Sequence, residues 1–110
     1  VILAPEAADL AYRIANTAAP HTPAVMINRI MYLMETGRMN EDEIPTLLNR
    51  LSRNGFRHAQ YWVVEGWYSL HRGSPDRAAR AVKKATTYNK GPSHDINRLA
   101  QAIEKVRNRS

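Results

Sequence analysis

The strongest constraint on the fold of this chain is the spacing of small and large residues from Trp62 to Ala85. Gly66 lies inside an apolar run of helical periodicity. Where two helices cross closely, one backbone must offer a residue without a side chain, although glycine lowers helix propensity by about 1 kcal/mol. Gly73 supplies a left-handed end to that helix, and Ala78 begins a small-residue face on the next. The segment therefore predicts two antiparallel helices joined by a tight turn.

This pattern resembles the tetratricopeptide repeat (TPR), a helical hairpin of about 34 residues with small residues at the crossing and a glycine at the turn. Ser74 and Pro75 fit the resemblance as the N-cap and first residue of the second helix. Gly37 lies 36 residues before Gly73, which makes the intervening unit two residues longer than usual. A partial upstream copy consists of Ala8, Tyr12, Ala15 and Pro20.

The resemblance and the apolar periodicity together predict an all-α fold, in which antiparallel helical hairpins stack as a short TPR-like solenoid. No strand pattern competes with the helical one. The predicted helices, about six in number, are Pro5–Thr17, Pro23–Glu35, Asp42–Arg53, Ala59–Leu70, Pro75–Tyr88 and His94–Arg107. As one TPR-like domain over 1–110, the chain divides into a second helix of a truncated repeat (1–22), a divergent repeat (23–58), the best-matching repeat (59–92) and a capping helix (93–110).

The divergent repeat departs from the family at its crossing and at its second helix. Ile30 stands in place of the close-contact glycine and Ile44 in place of the alanine, so we expect its helices to lie further apart. Pro45 is too deep for a helix capped by Asn40, so either a start nearer Asp42 or a loose first turn is predicted.

Charge is unevenly distributed along the chain. Residues 1–49 carry a net charge of −3 and residues 50–110 carry +9. The basic half could attract phosphates, anionic lipid headgroups or an acidic protein surface. The simpler interpretation is a solvated outer face, because Arg77, Arg80, Lys83 and Lys84 fall where a second helix faces water.

Composition excludes several classes of site. Cysteine is absent, which removes disulfides, thiol nucleophiles and thiolate metal ligands. The histidines His21, His58, His71 and His94 follow no metal-binding spacing, and no serine lies in a nucleophile-elbow pattern. The sequence therefore predicts no catalytic residues, no metal site, no cofactor and no enzyme activity.

No apolar stretch of 18 residues occurs, so we expect no membrane insertion by this segment. Because the chain begins at Val1 inside a repeat pattern, we expect it to be part of a larger, bacterial-type protein whose membrane anchor could lie upstream. The compartment, cytoplasmic or periplasmic, is left open.

The TPR resemblance implies a concave groove that holds a protein segment or peptide. Carried over by position, the binding residues are Met31, Gln60, Val63, Trp67, Asn97 and Arg98. Ile27 and Met34 flank Met31 in the same implied lining. For Met31, Val63 and Trp67 a core position is an equal alternative. Family members that grip a free carboxylate use Lys and Asn where this chain has Ile27, Met31 and Val64, so that specialised function is not predicted.

The favoured hypothesis is a non-catalytic protein- or peptide-binding scaffold module. Two alternatives stay open. One is a basic nucleic-acid-binding helical domain, suggested by the charge asymmetry. The other is a soluble extension of a membrane glycan polymerase or transferase, because helical repeats of this kind resemble such extensions.

Overall fold

Most of the described part of the chain is helical. The computed structural model describes residues 10, 13–14, 22–38, 42–53 and 59–109, and none of these residues lies in a strand. The bounded helices are α1 (Pro23–Glu35), α2 (Glu43–Arg53), α3 (Ala59–His71), α4 (Pro75–Asn89) and α5 (His94–Asn108). The all-α prediction is confirmed, and these helix limits agree with the predicted ones to within one residue. The predicted first helix lies outside the described residues except at positions 10, 13 and 14, which are helical.

Three helices end in the same left-handed turn. Gly37, Gly73 and Lys90 follow α1, α3 and α4 with φ of 68°, 81° and 58°. After α3, the amide of Ser74 donates to the carbonyl of Ser69 at 2.9 Å and the amide of Gly73 donates to that of Leu70 at 3.0 Å. This Schellman pairing satisfies carbonyls that the helix leaves open. The glycine turns predicted at 37 and 73 are confirmed, whereas the third turn places a lysine where glycine is preferred.

The helix starts follow the predicted capping residues with one difference. Proline occupies the first turn of α1 and α4, and the hydroxyl of Ser93 accepts a hydrogen bond from the amide of Ile96 at 3.2 Å before α5. Ser74 occupies the N-cap position of α4 as predicted, but its side chain makes no capping hydrogen bond. Asp42 directly precedes α2, in agreement with the predicted late start.

The chain divides into two compact units, residues 1–50 and 51–110. In the first unit, the buried apolar face of α1 comprises Met26, Ile27, Ile30, Leu33 and Met34. The buried residues of α2 in this unit are Ile44, Leu47 and Leu48. A bidentate ion pair links the two helices: Arg29 Nε donates to Glu43 Oε2 at 2.8 Å and a terminal nitrogen donates to Oε1 at 3.2 Å. This pair brings the middle of α1 to the first turn of α2.

In the second unit, α3, α4 and α5 pack around one apolar core. Ala78, Leu99 and Ile103 form its buried centre, and Trp67, Leu70 and Val82 pack against it. Gly66 is buried at the same place, where a β-carbon would lie 3.6 Å from the carbonyl oxygen of Ala78 and 3.2 Å from Cβ of Ala81. The predicted close crossing of the hairpin is therefore present. Across the described ranges, no helix is both long enough and apolar enough to cross a membrane.

Candidate interaction surfaces

The residues predicted to bind from α3 lie along one side of that helix, with unequal exposure. Gln60 is exposed, whereas Val63 and Trp67 are half-buried. Trp67 packs against the core of Ala78, Leu99 and Ile103. Trp67 therefore contributes to the core and also presents part of its surface to solvent. Val64, about half a turn away from Gly66, is only 2% exposed, so α3 is covered on two sides.

Met31 belongs to the first unit, where α1 places it at the edge of the buried face. Its side chain is half-buried. Its predicted neighbours in the lining, Ile27 and Met34, are each only 4% exposed and belong to the core of that unit. Of the three α1 positions, Met31 alone keeps enough exposed surface to contact a partner.

Asn97 and Arg98 are both exposed but lie on different sides of α5. Consecutive helical residues point about 100° apart. Asn97 lines a cavity of about 430 Å³ between α4 and α5, together with residues that include Ala79, Gln101 and Arg107. Arg98 does not line that cavity. Gln60 does not line that cavity either.

A second cavity in the same unit lies between α3 and α4, and Ser52 also lines it. Its volume is about 480 Å³. The lining combines aromatic rings, hydroxyl groups and two ammonium groups: Ser52, Tyr61, Trp62, Lys83, Lys84, Thr87 and Tyr88. We call this the aromatic–lysine cavity. None of the described residues that line it is acidic.

Contacts between the two helices order one wall of the aromatic–lysine cavity. Lys84 Nζ lies 4.3 Å from the ring centroid of Trp62, within the range of a cation–π interaction. The rings of Tyr61 and Trp62 meet edge to face with centroids 5.0 Å apart. A cation–π contact and an edge-to-face pair each favour one geometry, so both contacts favour this arrangement of Lys84 and the two rings.

The indole nitrogen of Trp62 is buried without a hydrogen-bond acceptor among the described residues. A buried donor that loses water and gains no acceptor costs about 1–3 kcal/mol. The sequence predicted Trp62 only as the large residue of the hairpin. It did not predict that the indole N–H would be buried without an acceptor.

The charges around this cavity leave its lysines unpaired. No described residue forms an ion pair with Lys83 or Lys84. The nearest carboxylate along α3, Glu65, is engaged elsewhere: Arg77 Nε lies 3.4 Å from its Oε1, and Ser69 donates to the same oxygen at 3.4 Å. The cavity therefore carries local positive charge that the described part of the unit does not neutralise.

Sequence reasoning placed Lys83 and Lys84 on a solvated face and missed the cavity that they line. The contact of Lys84 with Trp62 joins residues 22 positions apart, and the hairpin register decides whether they meet. The adjacent aromatic residues Tyr61 and Trp62 were the signal in the sequence that could have indicated this cavity. A large ring beside the helix crossing must lie against the second helix.

The described residues bring together no three His, Asp or Glu side chains that could hold a metal ion. Comparisons with known proteins add no assignment: a scan of protein-family models, a search of curated proteins and a search of solved structures each found no match.

Proposed function

We propose that this chain is a non-catalytic protein- or peptide-binding module built from helical hairpins of the TPR kind. The support is structural and lies in the second unit, where a glycine crossing, a left-handed turn and a third helix packed on the hairpin fit that kind of repeat. The partner would be a segment of protein chain laid along α3.

One observation carries this proposal. Gln60, Val63 and Trp67 follow one another at i, i+3 and i+7 on α3, and all three keep exposed surface. An apolar pair beside an exposed amide suits a protein segment: Val63 and Trp67 bury apolar area, and Gln60 offers a donor and an acceptor to a peptide backbone. We call these three residues the α3 strip.

The test begins with peptides selected from a random displayed library on the intact chain. Binders are then measured on two variants with the same chemical change, Gln60→Glu on the α3 strip and Gln101→Glu on α5. Both glutamines are exposed, so neither change should disturb folding.

If the α3 strip is the binding surface, Gln60→Glu and Val63→Ala should each weaken the selected peptides about threefold or more, and Gln101→Glu should leave their affinity unchanged. Peptides that bind all variants equally would contradict the proposal. Failure to select any peptide in repeated libraries would contradict it as well.

A further inference from the structure

We propose that the aromatic–lysine cavity is a second binding site, which takes an acidic segment of a partner protein. In this arrangement a glutamate or aspartate of the partner lies on Lys83 and Lys84, and a neighbouring apolar side chain contacts the rings of Tyr61 and Tyr88. The site uses no residue of the α3 strip, so it stands independently of the function proposed above.

Charge complementarity selects an acidic guest. Of the described residues that line the cavity, Lys83 and Lys84 carry positive charge and none carries negative charge. Neither lysine is paired within the described residues. Residues 50–110 as a whole carry a net charge of +9, which adds a long-range attraction for anions.

The position of Lys84 favours direct contact with a carboxylate. Its ammonium group lies over the ring of Trp62 at 4.3 Å, a cation–π contact that favours one position of the side chain before a ligand arrives. An ammonium group has three N–H donors, and the contact with the aromatic face leaves at least one of them available for a hydrogen bond. A long side chain whose position is restricted before binding loses less conformational entropy when it binds. Lys84 can therefore donate to a carboxylate at a reduced entropy cost.

The aromatic part of the lining explains why the guest is a protein segment and not a bare anion. Tyr88 is 51% exposed although it is a large hydrophobic residue. The cavity volume of about 480 Å³ lies within the range of about 300–1,000 Å³ that is typical of ligand sites. A lone carboxylate would leave most of this space and the tyrosine rings uncovered, whereas an acidic residue beside an apolar one fills both.

Nucleic acid fits the same cavity less well. Non-specific binding of single strands relies on open aromatic faces for base stacking and on a row of cations along the backbone. Here Lys84 already covers one face of Trp62, and two cations line the cavity. An oligonucleotide is therefore the competing ligand in the test.

The test uses the intact chain and three probes: an acetylated peptide of alternating glutamate and phenylalanine, the same peptide with glutamine in place of glutamate, and a single-stranded oligothymidylate of equal charge. The chain has two tryptophans, Trp62 in this cavity and Trp67 on the α3 strip, so two indole N–H signals in an NMR spectrum report the two surfaces separately. Trp62→Phe identifies which signal is which. Calorimetry gives each affinity.

The variant Lys83→Gln with Lys84→Gln is compared with Lys105→Gln with Arg109→Gln, which removes the same charge from exposed positions on and after α5. We expect the acidic peptide to shift the Trp62 signal, to lose about tenfold in affinity with the first variant and to change less than about twofold with the second. Circular dichroism of both variants verifies that they are folded.

Four results would overturn the proposal: no binding of the acidic peptide at about 1 mM, equal losses in the two variants, tighter binding of the oligothymidylate than of the peptide, or a shift of the Trp67 signal alone. The last result would locate binding on the α3 strip, so it would support the proposed function while rejecting this second site.

Discussion

Leu99 Cδ2 lies 2.5 Å from the place where a β-carbon on Gly66 would stand. Gly66 is in α3 and Leu99 is in α5, so the tightest neighbour of this glycine is in the third helix of the unit and not in the adjacent one. Leu99 is fully buried, which leaves its side chain no room to retreat. The absence of a side chain at position 66 thus allows both α4 and α5 to approach α3.

Gly66→Ala should destabilise the fold by about 1–3 kcal/mol through overpacking, even though alanine raises helix propensity by about 1 kcal/mol. Gly66→Leu should be more severe. The measurement is the midpoint of urea denaturation. Leu99→Val shortens the side chain by one methylene near the clash, so the double variant Gly66→Ala with Leu99→Val should be more stable than the two single effects predict when added. Simple additivity would show that the two residues do not meet.

Lys90 and Gly73 occupy the same left-handed position after their helices, and their replacements should act in opposite directions. Lys90→Gly should stabilise the chain by about 0.5–1 kcal/mol, since a residue with a β-carbon pays about 1–2 kcal/mol there. Gly73→Ala should destabilise it by about 1 kcal/mol for the same reason. Among the described residues, no atom beyond the two chain neighbours lies within 4 Å of a β-carbon at Gly73, so the variant measures backbone strain. Thermal unfolding of both variants gives the comparison, and a loss of stability in Lys90→Gly would refute it.

Trp67→Ser should reduce the free energy of unfolding by about 2–5 kcal/mol, because this ring packs against Leu99 and Ile103. Gln60→Ser, on the same side of α3 but exposed, should change it by less than about 0.5 kcal/mol. Guanidinium denaturation distinguishes the two. If the free energy of unfolding of Trp67→Ser equals that of the parent chain, the ring behaves as a surface residue and its contact with the core does not stabilise the fold.

The pair of Arg29 and Glu43 should contribute a coupling energy of about 0.5–1 kcal/mol to the first unit. The geometry is bidentate, but the side chains keep 13% and 30% of their exposure, so water weakens the attraction. A double-mutant cycle with Arg29→Gln and Glu43→Gln measures the coupling. It should decrease when the salt concentration rises. A coupling that does not respond to salt would mean that the two side chains interact mainly through packing.

Local signals in the sequence were sufficient for the helices. Prolines at helix starts, glycines at helix ends and apolar residues at helical spacing act within a few residues of one another, so the limits of α1 to α5 could be predicted to within one position. Gly66 could also be assigned to a close crossing, because a glycine inside a strongly apolar helix has few other reasons to occur. The Lys90 turn was predicted only as a gap between the helices that end at Tyr88 and begin at His94, since lysine carries no signal for a left-handed conformation.

Side-chain partners between helices could not be predicted in the same way. The distance between Lys84 and Trp62, the contact of Gly66 with Leu99 and the placement of Asn97 in a cavity with α4 depend on the rotation and offset of each helix against its neighbours. A shift of one residue in the register of a helix turns its side chains by about 100°. A sequence pattern that predicts the helix correctly therefore does not predict which side chains of other helices it contacts. The sequence by itself determined that the described chain is helical and where its turns fall, because those choices are made by local backbone preferences. The tertiary structure alone decided that Trp67 joins the core and that two lysines and three aromatic rings line one cavity, because those outcomes follow from how three helices fit around a single glycine.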